Sequence, residues 1–239
     1  MRSISAIILL LLCVSFAAAQ KRPTPAKKLP SSIPVKKGTE VREAAKKLDP
    51  GTVKGRTYIN PTLSFQVTFP DSWLIPGPDF EGYMKAAGFD LHTVNTEALG
   101  PLAKKQFAKN VTILLTAYRS MPGTPDNTFV LIAAEDLSSV PQIKDAVDYI
   151  DVVRQSLLRA KLPTGFKFGE TDAEQLGAMQ FAFLDTSSGT QKRRLYATVR
   201  QGYALLFTVA YVDDADLPTV RDVLRTGDFF LPTGNSTDQ

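Results

Sequence analysis

The stretch Arg194-Leu195-Tyr196-Ala197-Thr198-Val199-Arg200-Gln201-Gly202-Tyr203-Ala204-Leu205-Leu206-Phe207-Thr208-Val209-Ala210-Tyr211 decides the fold. Two runs rich in aromatic and β-branched residues flank Gln201-Gly202, a two-residue link that closes a tight β-hairpin. Further strands are expected at Phe166 to Glu170 and at Ala178 to Asp185, with Ser187-Ser188-Gly189 as the turn that follows. Val111 to Tyr118 and Thr128 to Glu135 are apolar, β-branched runs. Between them lies the turn-rich Met121-Pro122-Gly123-Thr124-Pro125-Asp126-Asn127, which predicts a long hairpin. Leu63-Ser64-Phe65-Gln66-Val67-Thr68-Phe69 alternates strictly and reads as a half-buried strand stopped by Pro70-Asp71-Ser72.

Two helices interrupt this β pattern. Ile143, Ala146, Val147, Ile150, Val153 and Leu157 recur at helical spacing, with Ser139 expected as cap and Pro141 in the first turn. Asp216 is expected to cap a final helix carrying Leu217, Val220, Val223 and Leu224, ended by Gly227. Strands joined by hairpins imply antiparallel pairing, and the helices must bury their apolar stripes against the sheet. The fold class is therefore α+β, an antiparallel sheet of about six strands flanked by helices. Neither βαβ alternation nor an internal repeat is present.

The rest of the 239-residue chain has a different character. Arg2, the apolar run from Ile7 to Phe16 and Ala17-Ala18-Ala19 read as a signal peptide over 1–19. Leu10-Leu11-Leu12 before Cys13 argue against a lipid attachment motif, and cleavage before Gln20 removes the only cysteine. Disulfide, thiolate nucleophile and thiolate metal site are then excluded. Residues 20–56 hold eleven Lys or Arg against three Asp or Glu, a net +8, whereas 57–239 hold sixteen against twenty-one, a net −5. The overall pI near 9.1 thus conceals a mildly acidic domain behind a basic, proline-rich stalk. The expected organisation is a signal peptide over 1–19, a flexible stalk over 20–54, a domain over 55–232 and a disordered tail over 233–239. The protein is expected to be periplasmic or secreted. The stalk suits weak electrostatic contact with an anionic membrane or wall polymer. It lacks the interleaved aromatics of a nucleic-acid binder.

Catalytic signatures are not found. His92 is the only histidine, no G-x-S-x-G, S-x-x-K, Walker or G-x-G-x-x-G sequence occurs, and neither cofactor nor metal is expected. Asp213, Asp214 and Asp216 read as loop and cap residues without the spacing of a calcium loop. Asp145, Asp148 and Asp151 read as the solvated face of the long helix. Two features suit ligand binding. Trp73, Phe80 and Tyr83, around Pro76-Gly77-Pro78, suit an aromatic groove, although Trp73 reads first as a core residue. Lys192-Arg193-Arg194 with Arg200 suits an anion patch or, alternatively, charge protection of an edge strand. The candidate ligand-binding residues are Trp73, Phe80, Tyr83, Arg194 and Arg200. The irregular stretch from Asp79 to Asn110 is the expected place for specificity.

The pattern Tyr58-x-Asn60-Pro61-x-Leu63-Ser64-Phe65-x-Val67-x-Phe69-Pro70-x-x-Trp73 resembles the entry hairpin of the PsbP-like superfamily. Arg194-Leu195-Tyr196, Gly202-Tyr203-Ala204-Leu205, Tyr211 and the final helix are similar too. The resemblance implies an α/β/α sandwich and a binding or accessory role without catalysis, for an envelope protein partner or a small ligand. No metal or partner residue of the photosynthetic members is matched, so none is carried over. A carboxylate-based hydrolase and a structural envelope protein tethered by the stalk are the alternatives.

Overall fold

The computed structural model describes residues 48–77, 79–86, 105, 109–120, 124 and 127–230. The expected signal peptide, the stalk up to Lys47, His92 and the tail from Leu231 lie outside the described residues. The organising element is the expected hairpin. Strands β9 (Gln191–Arg200) and β10 (Tyr203–Tyr211) pair from Tyr203↔Arg200 to Tyr211↔Lys192. Gln201 and Gly202 turn it with φ of 52° and 78°. Positive φ at both positions matches the right-handed twist of the flanking strands, and glycine adopts it without cost at the second.

Around this hairpin grows a seven-stranded antiparallel sheet. β4 (Val111–Tyr118) and β5 (Phe129–Asp136) lie beyond β10, and β8 (Met179–Ser188) lies beyond β9. The outer edge of β8 carries two short strands, β6 (Phe166–Phe168) and β7 (Asp172–Leu176). About six strands were expected; β7 is the addition, because Asp-Ala-Glu-Gln-Leu shows no apolar alternation. A second, four-stranded sheet joins β1 (Thr52–Lys54), β2 (Thr57–Asn60), β3 (Phe65–Thr68) and β11 (Asp228–Phe229).

Both faces of the large sheet are buried. Leu131, Ala133, Leu184, Leu195, Ala197 and Leu206 meet Ile150, Val153 and Leu157 of α2 (Ala146–Arg159) on one face. Phe181, Tyr196, Leu205, Phe207 and Val209 meet Phe65, Val67, Val220 and Leu224 on the other. There the cover is the small sheet together with α3 (Asp216–Arg225). Helices thus flank the sheet on both sides, as expected, with the small sheet sharing one side.

Several local readings need correction. Ser187 and Ser188 extend β8, and the turn falls at Gly189-Thr190. The long helix starts seven residues after Ser139, and its N-cap is Asp145, which accepts from the Asp148 amide at 2.9 Å. Turns from Leu137 to Val140 and from Val140 to Ile143 use up the intervening chain. Asp216 does not cap α3; the N-cap is Ala215, and Asp216 instead takes the Arg119 guanidinium and the Thr128 hydroxyl. The domain boundary expected near Gly55 also moves. Leu48 is buried in the core, the Asn60 amide donates to the Asp49 carbonyl at 2.9 Å, and the Tyr58 hydroxyl donates to the Pro50 carbonyl at 2.7 Å. Burial first of all, with the Asp49 charge added, pushes the Tyr58 phenol up to about 12.

Candidate functional site

The five candidate residues fall into three places. Trp73 is core, 5.7 Å from Phe69 ring to ring, and its indole N–H is buried with no acceptor among the described residues. Its backbone is fixed by a bridge from Leu74 to Tyr118 at the end of β4. Phe80 opens the short helix α1 (Phe80–Ala86) and lies half-buried over Tyr118, 6.4 Å away. Tyr83, one turn on, is 70% exposed. Trp73 therefore belongs to the interior, and Tyr83 is the residue of this trio that meets solvent.

Arg194 and Arg200 share one face of β9, the face toward α3 and the small sheet. Six residues of strand separate them by about 20 Å. At Arg194 β9 is paired on both sides, so that charge does not protect an edge; at Arg200, beyond the end of the ladder with β8, it pairs with β10 alone.

Arg194 sits in a closed network. Its Nε and Nη2 donate to the two oxygens of Asp185 at 2.7 and 2.6 Å, a bidentate fork. Its guanidinium carbon lies 4.1 Å from the centre of the Phe183 ring. The remaining nitrogen faces the Tyr196 hydroxyl at 3.3 Å and Glu174 at 3.5 Å. Tyr196 donates to Glu174 at 2.7 Å, and Arg221 of α3 holds the other Glu174 oxygen. Burial works against the Arg194 charge, but the hydrogen bonds from Asp185 and Tyr196 win and push its proton affinity up. Burial, then the bond to Glu174, pushes the Tyr196 phenol up. Burial also raises the Tyr211 phenol, helped by the Asp185 charge. At the same end, Lys192 donates to Asp214 at 2.6 Å.

Arg200 is arranged differently. Its guanidinium lies 4.2 Å from the centre of the Phe229 ring, and its Nε is buried without an acceptor. Its cross-strand partner is Tyr203, half-buried on the same face. Beside the turn, the Gln201 side chain donates to the Ser64 hydroxyl at 3.1 Å.

One more buried ionisable pair was not foreseen. Glu135 on β5, 3% exposed, accepts from the Tyr149 hydroxyl at 2.8 Å beneath the first turn of α2. Desolvation raises its carboxyl to about 7, partly opposed by the Tyr149 bond and assisted by the Asp136 charge. Tyr149 is pushed well above the ordinary phenol by burial and by Glu135. Among the described residues no group of three or more His, Cys, Asp or Glu is placed to hold a metal ion.

No family model matches the chain, and no curated protein matches it. Solved structures do. A cyanobacterial PsbP is among them. That protein, from Synechocystis sp. PCC 6803, is 10% identical with a TM-score of 0.40, covering 75% of this chain and 98% of its own. LpqN of Mycobacterium tuberculosis, described as involved in cell envelope biogenesis, is 13% identical with a TM-score of 0.38. It covers 75% of this chain and 84% of its own. A crystal structure from Bacteroides thetaiotaomicron shows 13% identity and a TM-score of 0.38 over 75% of this chain. The present chain spans half the length of that protein. The fold class rests on the strand order itself.

Proposed function

We propose that the chain is an exported accessory or binding protein and not an enzyme. The observation that carries this reading is how the carboxylates around Arg194 and in the core are engaged. Asp185 accepts a guanidinium fork, and Glu174 accepts from Arg194, Tyr196 and Arg221. Glu135 faces a phenol inside the core, out of reach of a substrate. A general acid or base needs a lone pair or proton aimed at the reacting atom, and these side chains aim theirs at one another. Assaying the exported chain against ester, glycoside, peptide and phosphoester substrates should give no turnover above background. Turnover that disappears in a folded Glu174→Gln or Asp185→Asn variant would establish the hydrolase alternative instead.

Export is proposed from the sequence of residues 1–19, and the N-terminus of the exported form should be Gln20. Intact mass reads this directly; a lipid on Cys13 would overturn it. The net +8 of residues 20–56 favours a weak electrostatic tether to anionic lipid or wall polymer. Binding to anionic vesicles at low salt should vanish at about 1 M salt, where the Debye length is about 3 Å. Binding that survives salt, or survives deletion of 20–47, would move the contact to the domain.

A further inference from the structure

The two arginines on the buried face of β9 differ in one respect that calls for an explanation. Arg194 has all three guanidinium nitrogens matched to acceptors nearby, and Arg221, although its Nε also lacks an acceptor, holds the Glu174 carboxylate. Arg200 has no carboxylate and no side-chain acceptor among the described residues, yet its Nε is shut off from water. A buried donor without an acceptor costs about 1–3 kcal/mol, so native proteins almost always supply a partner from protein, water or ligand. The Phe229 ring at 4.2 Å stabilises the charge and fixes the plane of the guanidinium, but it accepts no N–H. What remains is a flat fork held in place with its donors unmatched.

A second donor stands next to it. Tyr203 is directly opposite Arg200 across the hairpin, and its hydroxyl makes no hydrogen bond to a described residue. Opposed side chains in an antiparallel pair lie with Cβ atoms about 4.5–5.5 Å apart. The guanidinium on Phe229 and the phenol are thus neighbours on one face at the turn end of the sheet. On the next strand along the same row stands Asp136, opposite Tyr203, with one oxygen already accepting from the Ser138 amide. That negative charge disfavours a multiply charged anion such as phosphate. A single carboxylate matches the fork and meets less repulsion from Asp136 than a phosphate would.

We propose that Arg200 and Tyr203, floored by Phe229, form a recognition site for one carboxylate group. This deepens the binding reading above by naming the chemistry of its ligand. The carboxylate belongs either to a small free acid or to an Asp or Glu side chain of a partner protein, and the experiment separates the two.

The test follows the arginine Nε–Hε resonances of the exported chain by NMR, with the Arg200 signal assigned by its loss in Arg200→Gln. Sodium acetate and a capped peptide bearing one Glu are each titrated against sodium chloride at constant ionic strength. The Arg200 signal should move in a saturable way with at least one of them and not with chloride. Arg200→Lys, which keeps the charge and removes the fork, should weaken binding about tenfold. Tyr203→Phe should weaken it about threefold, in line with one lost hydrogen bond. Tighter binding of the peptide assigns a partner protein; equal or tighter binding of acetate assigns a small acid. No movement beyond that with chloride, or unchanged affinity in Arg200→Lys, overturns the proposal. The signal is read at the residue itself. Enzymatic turnover, which would remove the non-enzymatic reading, would leave this result standing.

Discussion

The two ends of the β9–β10 pair handle buried charge in opposite ways. At the end where Tyr211 meets Lys192, four ion pairs hold buried or half-buried charge: Arg194 with Asp185, Arg221 with Glu174, Lys192 with Asp214, and Arg119 with Asp216. At the turn end the buried ionisable groups face aromatic rings and phenols instead. Arg200 lies on Phe229 beside Tyr203, and Glu135 is met by Tyr149 on the opposite face of the sheet. Paired charges in a low dielectric hold each other and resist change, whereas a charge facing only neutral groups stays responsive to protons and ligands. The first end is built as a scaffold. The second is built to respond.

The largest effect should come from the N-terminal segment that completes the small sheet beside Phe65 and Phe229. Removing residues 20–47 should leave the melting temperature nearly unchanged, because a proline-rich, like-charged sequence buries little apolar area. Extending the deletion to residue 54 strips Leu48 from the core, takes β1 from the small sheet and orphans the Tyr58 and Asn60 donors. Burial of a leucine contributes about 2 kcal/mol and each orphaned buried donor costs about 1 kcal/mol or more. The longer deletion should therefore cost about 4 kcal/mol by denaturant unfolding. Equal stability of the two deletions would show that the turn end needs no cover.

Next in size is Arg194→Ala, which leaves Glu174 and Asp185 without their common partner. Breaking a largely buried ion pair costs about 3–5 kcal/mol, and the partial exposure of Asp185 puts this one near the lower bound. Chemical denaturation should show a loss of about 3 kcal/mol. A loss under about 1 kcal/mol would erase the contrast between the two ends.

Which parts of this contrast were legible beforehand depends on register. Tyr203 opposite Arg200 follows from Gln201-Gly202 alone, since a two-residue turn fixes the whole hairpin. Asp185 opposite Arg194 follows by the same logic once the preceding turn is put at Gly189-Thr190. Placing that turn at Ser187-Ser188-Gly189 shifts the register and hides the fork. Glu174 was illegible because β7 is a polar strand at the sheet's edge, recruited by β8 and not by its own pattern. Arg221 reaches it from 47 residues away. Glu135 looked like the polar end of an apolar strand, and nothing local announces that Tyr149 will cover it. Trp73 read first as a core residue, with an aromatic groove as the lesser alternative. Only packing separates Trp73 from the exposed Tyr83.

A pH titration probes the turn end through Glu135. Its carboxyl is raised from 4.5 to about 7 by burial, so between those values the folded state holds a proton that the unfolded state has released. Stability must then fall as pH rises through this window and level off above it, by about 3 kcal/mol at most for a shift of this size. Glu135→Gln should flatten that slope, with the variant gaining on the parent at pH 8. Arg194→Ala should leave the slope in place, because Arg194 lies at the other end of the sheet and on the face opposite Glu135. A parent protein whose stability rises from pH 4.5 to 7 with a slope that Glu135→Gln does not alter would contradict this account of Glu135.

The smallest effect separates the arginines themselves. Arg200→Ala removes a stacked cation worth about 0.5–1 kcal/mol at a partly exposed site, and it also removes a buried donor that had no acceptor. The two terms oppose each other, so the variant should stay within about 1 kcal/mol of the parent by denaturant unfolding. Arg194→Ala in the same experiment should lose about three times as much or more. A residue that is held in place, kept partly from water and yet contributes little to stability is a residue available for something other than the fold. If Arg200→Ala proves as damaging as Arg194→Ala, then Arg200 is matched within the chain after all. The turn end would then be a second scaffold, and the carboxylate site would lose its main physical argument.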